Sequence, residues 1–289
     1  MTTRDSSTRV SPIWLVLVGI LSVQFGAGVA KTLFDEVSPT TIVWLRLFAS
    51  AVVLMLIARP RLRGRSRQDW LVVLGFGLTL GLMNWAIYQS FARIPIGLAV
   101  TIEFVGPLTL ALVGSRRVRD LLWVGLAGVG VLLLGVQPGD LNWAGVGFAL
   151  LAAASWATYI LLSASTGRRW QGVDGLALAS VVALLLLSPV TLGRYADQLG
   201  DPRILLIGAA VGLLSSVIPY TCELVALRSM RPPVFSILMS LEPAAAALAG
   251  LVVLRETLGP VQLTAMACVV VASIGATRAG TTIANPVPD

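Results

Sequence analysis

Long apolar runs separated by short polar stretches set the pattern of this chain. A helix that crosses a bilayer needs roughly 20 such residues, with about 17–25 tolerated. Ten runs meet that length, near residues 13–34, 39–58, 70–92, 95–114, 120–137, 143–164, 174–193, 204–229, 233–254 and 260–278. The pattern predicts an all-α integral membrane protein of ten transmembrane helices. The loops between runs are short, and none could fold as a soluble domain.

Inside those runs a block of sequence returns. Pro107, Ala111, Leu112 and Gly114 reappear as Pro243, Ala247, Leu248 and Gly250, each 136 residues later. A glutamate precedes the proline in both copies, Glu103 and Glu242. The ten runs therefore divide into two five-helix repeats, residues 13–137 and 143–278, with polar tails at 1–12 and 279–289. An odd number of spans makes the second copy enter the bilayer from the opposite side. The repeats are then inverted about an axis in the membrane plane, an arrangement that suits a carrier because the copies can exchange conformations.

Composition agrees with the membrane reading. Of 289 residues, 56% are hydrophobic and 12% charged, with a mean hydropathy of +0.87. Soluble domains are nearer a quarter charged. The net charge of +7 is unevenly placed. With the N-terminus inside, fifteen arginines fall on the cytoplasmic side, five of them between Arg59 and Arg67, against Arg93, Arg194, Arg203 and Arg255 outside. That bias predicts cytoplasmic termini in a multi-pass cell-membrane protein, and it explains the basic charge without nucleic acid as a partner. The first apolar run is long enough to stay as an anchor, so no cleaved signal peptide is expected.

Cys222 and Cys268 both lie in apolar runs, so no disulfide framework is expected. The chain has no histidine. The commonest zinc ligand and the usual proton shuttle are thus missing, and neither a metal nor a cofactor is expected. Trp14, Trp70, Trp123 and Trp143 fall near span ends, as an aromatic belt would. Gly125, Gly128 and Gly130 read as close-packing positions.

Five ionisable residues stay inside spans: Lys31, Arg46, Glu103, Glu223 and Glu242. A central charge costs roughly 2.5–3.5 kcal/mol on insertion scales, so such groups face a cavity or a partner. Lys31 is near a span end, where its ammonium can snorkel; Arg46 is deeper. Pro107 has no N–H, which leaves the carbonyl of Glu103 without its helical partner. Carboxylate and carbonyl together make a place to capture an ammonium group or a proton. A salt bridge to Arg46 or Lys31 is the rival reading. Pro243 frees the carbonyl of Met239 in the same way, and Pro219 interrupts the eighth span. Gln24, Asn84, Tyr88, Trp156, Tyr159 and Tyr220 add polar or aromatic groups on spans one, three, six and eight. Each alone reads as a helix–helix contact. Their recurrence favours a shared cavity, with Glu103, Gln24, Arg46, Asn84, Tyr88, Trp156, Tyr159, Tyr220 and Glu242 as candidate substrate contacts. With no histidine, a carboxylate must carry any coupled proton, and Glu223 and Glu242 are the candidates.

The strings IEFVGPLTLALVGSRR (102–117), SLEPAAAALAGLVVLRETL (240–258) and NWAIYQSFARIPIGLAV (84–100) resemble the threonine/homoserine exporter family. That family lies within the drug/metabolite transporter superfamily, whose repeats are called EamA domains. FGAGVAKTLF (25–34) and WATYILLSA (156–164) fit as well, so the similarity runs over about residues 12–278. The SLEP-type string with Glu256 marks the superfamily, and EFVGPL is more specific to the exporter branch. The resemblance implies ten helices and export of small amino acids against inward proton flow. Other metabolites or drugs stay open as substrates.

A membrane-embedded enzyme would want an aspartate cluster or a histidine acid–base pair, and neither is present, so no enzyme is expected. A channel fits poorly with mid-membrane breaks in two repeats. No GxxxxGK[ST] loop exists to couple ATP. The expectation is a secondary transporter in the lipid bilayer, with two repeats in one chain so that a dimer is allowed but not required.

Overall fold

The computed structural model describes residues 11–113, 121–134, 142–219, 222, 226, 235 and 238–280. Among the described residues every regular element is helical: α1 (Pro12–Lys31), α2 (Pro39–Ala58), α3 (Arg67–Phe91), α4 (Ile96–Glu103), α5 (Val105–Val113), α6 (Leu121–Leu134), α7 (Trp143–Arg169), α8 (Asp174–Arg194), α9 (Pro202–Gly212), α10 (Glu242–Leu254) and α11 (Pro260–Gly280). A 3₁₀ turn, Ala196–Gly200, precedes α9, and a π-helical turn, Leu213–Val217, follows it. Helices α1, α2, α3, α7 and α8 are each long and apolar enough to cross a membrane. Among the described residues the other predicted runs hold shorter apolar helices, and turns divide the fourth and ninth. The tails 1–10 and 281–289 lie outside the described residues.

The helix ends follow from local chemistry. Pro12, Pro39 and Pro202 open α1, α2 and α9, where a missing N–H costs nothing. Ser66 and Asp69 form a reciprocal capping box on α3. Asn142 Oδ1 accepts from Gly145 N at 3.0 Å to cap α7.

The first-half and second-half helices interleave. Helix α2 packs on α8 and α9, α3 on α7 and α8, α1 on α9 and α10, α4 and α5 on α7, and α6 on α11. Gly97 and Gly106 allow two close approaches, of α4 to α10 and of α5 to α7. A Cβ on Gly97 would stand 2.8 Å from Ala247 Cα of α10, and one on Gly106 would collide with the backbone of Ala153 on α7. Apolar side chains such as Leu56, Ile57, Leu122 and Leu206 point outward instead, as a lipid-facing surface requires. Gly130 meets Ala265 of α11 as expected, whereas Gly125 and Gly128 face open space among the described residues. Trp14 and Trp143 are exposed in belt fashion. Trp70 and Trp123 are not: Trp70 meets Trp170 edge-on, and Trp123 lies against Gly275.

Charged contacts sort by end. Lys31–Glu256 and Arg203–Glu36 sit at the end carrying the 32–38 turn, and Arg169–Asp69 at the end carrying the 59–66 loop. That loop does more than mark topology. Arg65 donates to the Arg169 carbonyl at 2.9 Å and lies 4.3 Å above the Trp170 ring.

Candidate functional site

Two helix breaks and one π-helical turn create the site. The first break is a single residue. Helix α4 stops at Glu103, Phe104 turns, and α5 begins at Val105 with Pro107 in its first turn. The second lies at Ser240 and Leu241, after helical Leu238 and Met239 and before α10 begins at Glu242. Phe104 and Ser240 are 136 residues apart, so both copies break at equivalent positions. Pro243 is buried at the start of α10, a favourable place for proline, rather than in a helix interior.

The π-helical turn is explained by Pro219. Pro219 has no N–H to donate back into the turn, so carbonyls there draw on other donors. Arg46 Nη2 donates to the Ser215 carbonyl at 2.8 Å, while its Nε reaches Ser216 Oγ at 3.2 Å. Ser22 Oγ donates to the Leu214 carbonyl at 2.6 Å. First-half side chains thus satisfy carbonyls that a second-half irregularity exposes.

Between these features lies a cavity of about 580 Å³. Of the residues singled out from the sequence, Gln24, Arg46, Asn84 and Tyr88 line it from α1–α3, and Glu103 and Pro107 from the first break. Trp156 and Tyr159 of α7, Pro219 and Glu242 complete the set from the second half. Tyr220 and Glu223 lie outside the described residues. Glu103 forms no ion pair among the described residues. Lys31 is absent from the cavity. Its ammonium pairs with Glu256 at 2.6 Å and donates to the Ile94 carbonyl at 2.9 Å. Glu256 also accepts from Ile96 N at 2.9 Å. The salt bridge of Glu103 to Lys31 or Arg46, read as a rival, is therefore not formed.

Sequence reasoning missed part of the lining. Phe104 stands at the break itself and meets Trp156 edge-on at 5.4 Å. Phe91 and Phe235 add aromatic wall, and Ser273 of α11 reaches Ser240 at 2.9 Å. Ser273 interrupts an apolar stretch, which was its available signal; the phenylalanines look like any lipid-facing residue in a span. Among the described residues no group of three histidine, cysteine or acidic side chains could hold a metal.

The chain is 37% identical to the threonine/homoserine exporter RhtA of Escherichia coli K12, over 94% of each chain. It is equally similar, over the same shares, to the protein of that name from Salmonella typhimurium LT2. A solved crystal structure shares the fold over 94% of this chain and 99% of its own, with a TM-score of 0.62 at 17% identity. Residues 143–278 match the model of the EamA-like transporter family. A multi-pass helical membrane protein with a cavity between its halves and relatives of this kind is a transporter, not an enzyme, and the chain belongs to the EamA-like transporter family, in its threonine/homoserine exporter branch.

Proposed function

We propose that this chain exports small amino acids of the threonine/homoserine kind across the inner membrane by alternating access, exchanging them for protons. The observation that carries this reading is Glu103, a carboxylate without an ion pair among the described residues, on a broken helix that lines a cavity between the two halves. There it accepts the substrate ammonium. The names of the relatives supply the substrate class.

Inverted repeats underlie the alternation in this reading, and the helix contacts support them. Second span meets second (α2–α8), and fifth meets fifth (α6–α11). Three unequal pairings come as exchanged couples: first with fourth (α1–α10 and α7–α4/α5), second with third (α2–α9 and α8–α3), first with third (α1–α9 and α7–α3); α11 also meets α4 and α5, without a matching α6–α10 pairing of that size among the described residues. A two-fold relation generates such couples. Glu223 is the first candidate for the coupled proton and Glu242 the second. Both termini are cytoplasmic, and one chain holds the whole pathway.

The test is flux in proteoliposomes. Saturable L-threonine counterflow, with accumulation driven by an imposed pH gradient, is the expected result. Flux linear in concentration would make the protein a channel, and indifference to the gradient would remove the proton. Sidedness is read from Gly64→Cys, which an impermeant thiol reagent added to intact cells should fail to label. A second reading, export of larger amphipathic compounds, draws on the cavity volume, which falls in the range of about 300–1,000 Å³ typical of drug-sized sites. Competition by such compounds against threonine counterflow would favour it.

A further inference from the structure

Arg46, Tyr88 and Ser215 share an unusual condition. All three line the cavity, and all three are at least nine-tenths buried, at 9%, 1% and 1% exposure. The hydroxyls of Tyr88 and Ser215 have no hydrogen-bond partner among the described residues. A guanidinium carries five N–H donors. Arg46 spends two of them, on Ser216 Oγ and the Ser215 carbonyl. No carboxylate pairs with it among the described residues. A buried cation and two buried hydroxyls without partners are costly arrangements, and they persist where something else completes them.

The three groups are held together by the fold. Arg46 lies with its guanidinium carbon 5.7 Å from the centre of the Tyr88 ring. The Ser215 carbonyl anchors the same guanidinium at 2.8 Å, and the Ser215 hydroxyl lies against Gly26 of α1. Tyr88 is itself clamped between Phe34 and Phe91, with ring centroids 6.0 and 5.5 Å away. The two bonds to the π-helical turn fix the guanidinium plane, so its remaining N–H groups are presented rather than left to wander. A planar fork of donors beside hydroxyl groups is the chemistry that recognises a carboxylate.

We infer that Arg46, Tyr88 and Ser215 form a carboxylate-binding pole in the cavity, opposite the ammonium-binding Glu103. This deepens the export reading and rests on it. Arg46 and Glu103 line one cavity without pairing, so a ligand with both charges satisfies both. An amine completes only Glu103, and a simple anion only Arg46. The class selected is therefore the zwitterionic amino acid with a free carboxylate. Its amide or ester, which keeps the ammonium and loses the negative charge, is rejected.

Tyr88→Phe tests this, because it removes one hydroxyl and keeps the ring. Full-length protein in proteoliposomes is measured by radiolabelled L-threonine counterflow, with L-threonine and L-threoninamide as competitors. In the wild type the acid competes well and the amide poorly. In Tyr88→Phe the acid weakens about tenfold, as loss of a hydrogen bond to a charged group predicts, and the amide is unchanged. Arg46→Lys, which keeps the charge and loses the fork, weakens the acid further and narrows the gap to the amide. Unchanged competition in Tyr88→Phe, or an equal loss for acid and amide, overturns the pole. If wild-type threonine counterflow is absent, the export reading fails by itself. The pole is then read from thermal stabilisation of purified wild type and Tyr88→Phe by a panel of neutral amino acids and their amides. Stabilisation by acids over amides that Tyr88→Phe abolishes upholds it, and equal stabilisation in both proteins overturns it.

Discussion

The two breaks fall in similar stretches of sequence but hold their carboxylates in opposite ways. Glu103 is the last residue of α4, at the end where a helix carries partial negative charge. Glu242 is the first residue of α10, where the partial charge is positive. Glu242 also has an interaction of its own, whereas Glu103 has none among the described residues. The first break is one residue wide. The second is two, and the Ser240–Ser273 hydroxyl contact pins it to α11. Two breaks 136 residues apart thus hold a carboxylate waiting for a cation and a carboxylate already provided for. Similar sequence around two breaks does not mean similar role when their glutamates occupy different positions, Glu103 answering to Met239 and Glu242 to Gly106.

The largest expected effect follows directly. Glu103→Gln should abolish threonine counterflow, at least a hundredfold below wild type, while expression and membrane insertion stay normal. A buried carboxylate–ammonium contact is large enough for that. Glu242→Gln should keep exchange within about tenfold and show its defect mainly in accumulation against a pH gradient. Near-normal exchange in Glu103→Gln, or a deeper loss in Glu242→Gln, would reverse the comparison.

The prolines give the next contrast. Pro107→Ala restores an N–H that can reach the Glu103 carbonyl, so α4 and α5 can join into one helix across the single-residue break. Slower exchange with equal or higher thermal stability is expected, the latter by about 1 kcal/mol. Pro243→Ala leaves a two-residue turn held by Ser240, and should change exchange less than Pro107→Ala. Initial rates and melting curves of the two variants side by side decide it.

The smallest effect tests what joins the breaks. Glu256 follows α10 and accepts from Ile96 N, the first amide of α4, with Lys31 as its ion partner. Lys31→Met should lower stability by about 1 kcal/mol, as removal of one partner from a half-buried pair does. Lys31→Met combined with Glu256→Gln should lose less than the two single losses added together. Strict additivity in this cycle would show that the pair is not coupled.

Much of this was legible in the chain. The apolar runs placed all ten helical segments, because length and hydropathy govern what enters a bilayer. Ten of the residues singled out came together around one cavity, since a polar or helix-breaking residue in a span persists only where something faces it. What stayed hidden depends on distance through space. Lys31 and Glu256 are 225 residues apart, and no periodicity links them. The π-helical turn was invisible because Pro219 announces a break without saying which side chain repairs it. Phe91, Phe104 and Phe235 were lost among phenylalanines that any lipid-facing surface would carry.

The Glu256 contact also has a mechanical meaning. Helices α4 and α10 are tied at the 32–38 end, and each is interrupted farther along toward the opposite end. Two rods fastened at one tip and jointed partway along behave like tongs. Force applied to the jointed arms swings them about a fixed pivot, and the fastened tips stay shut. In the proposed alternating access, opening at the fastened end requires undoing that knot, three short polar contacts around one carboxylate and one ammonium, together with the Gly97–Ala247 packing. A latch of three polar contacts, each worth about 0.5–3 kcal/mol, is small enough to be released thermally within such a proposed cycle.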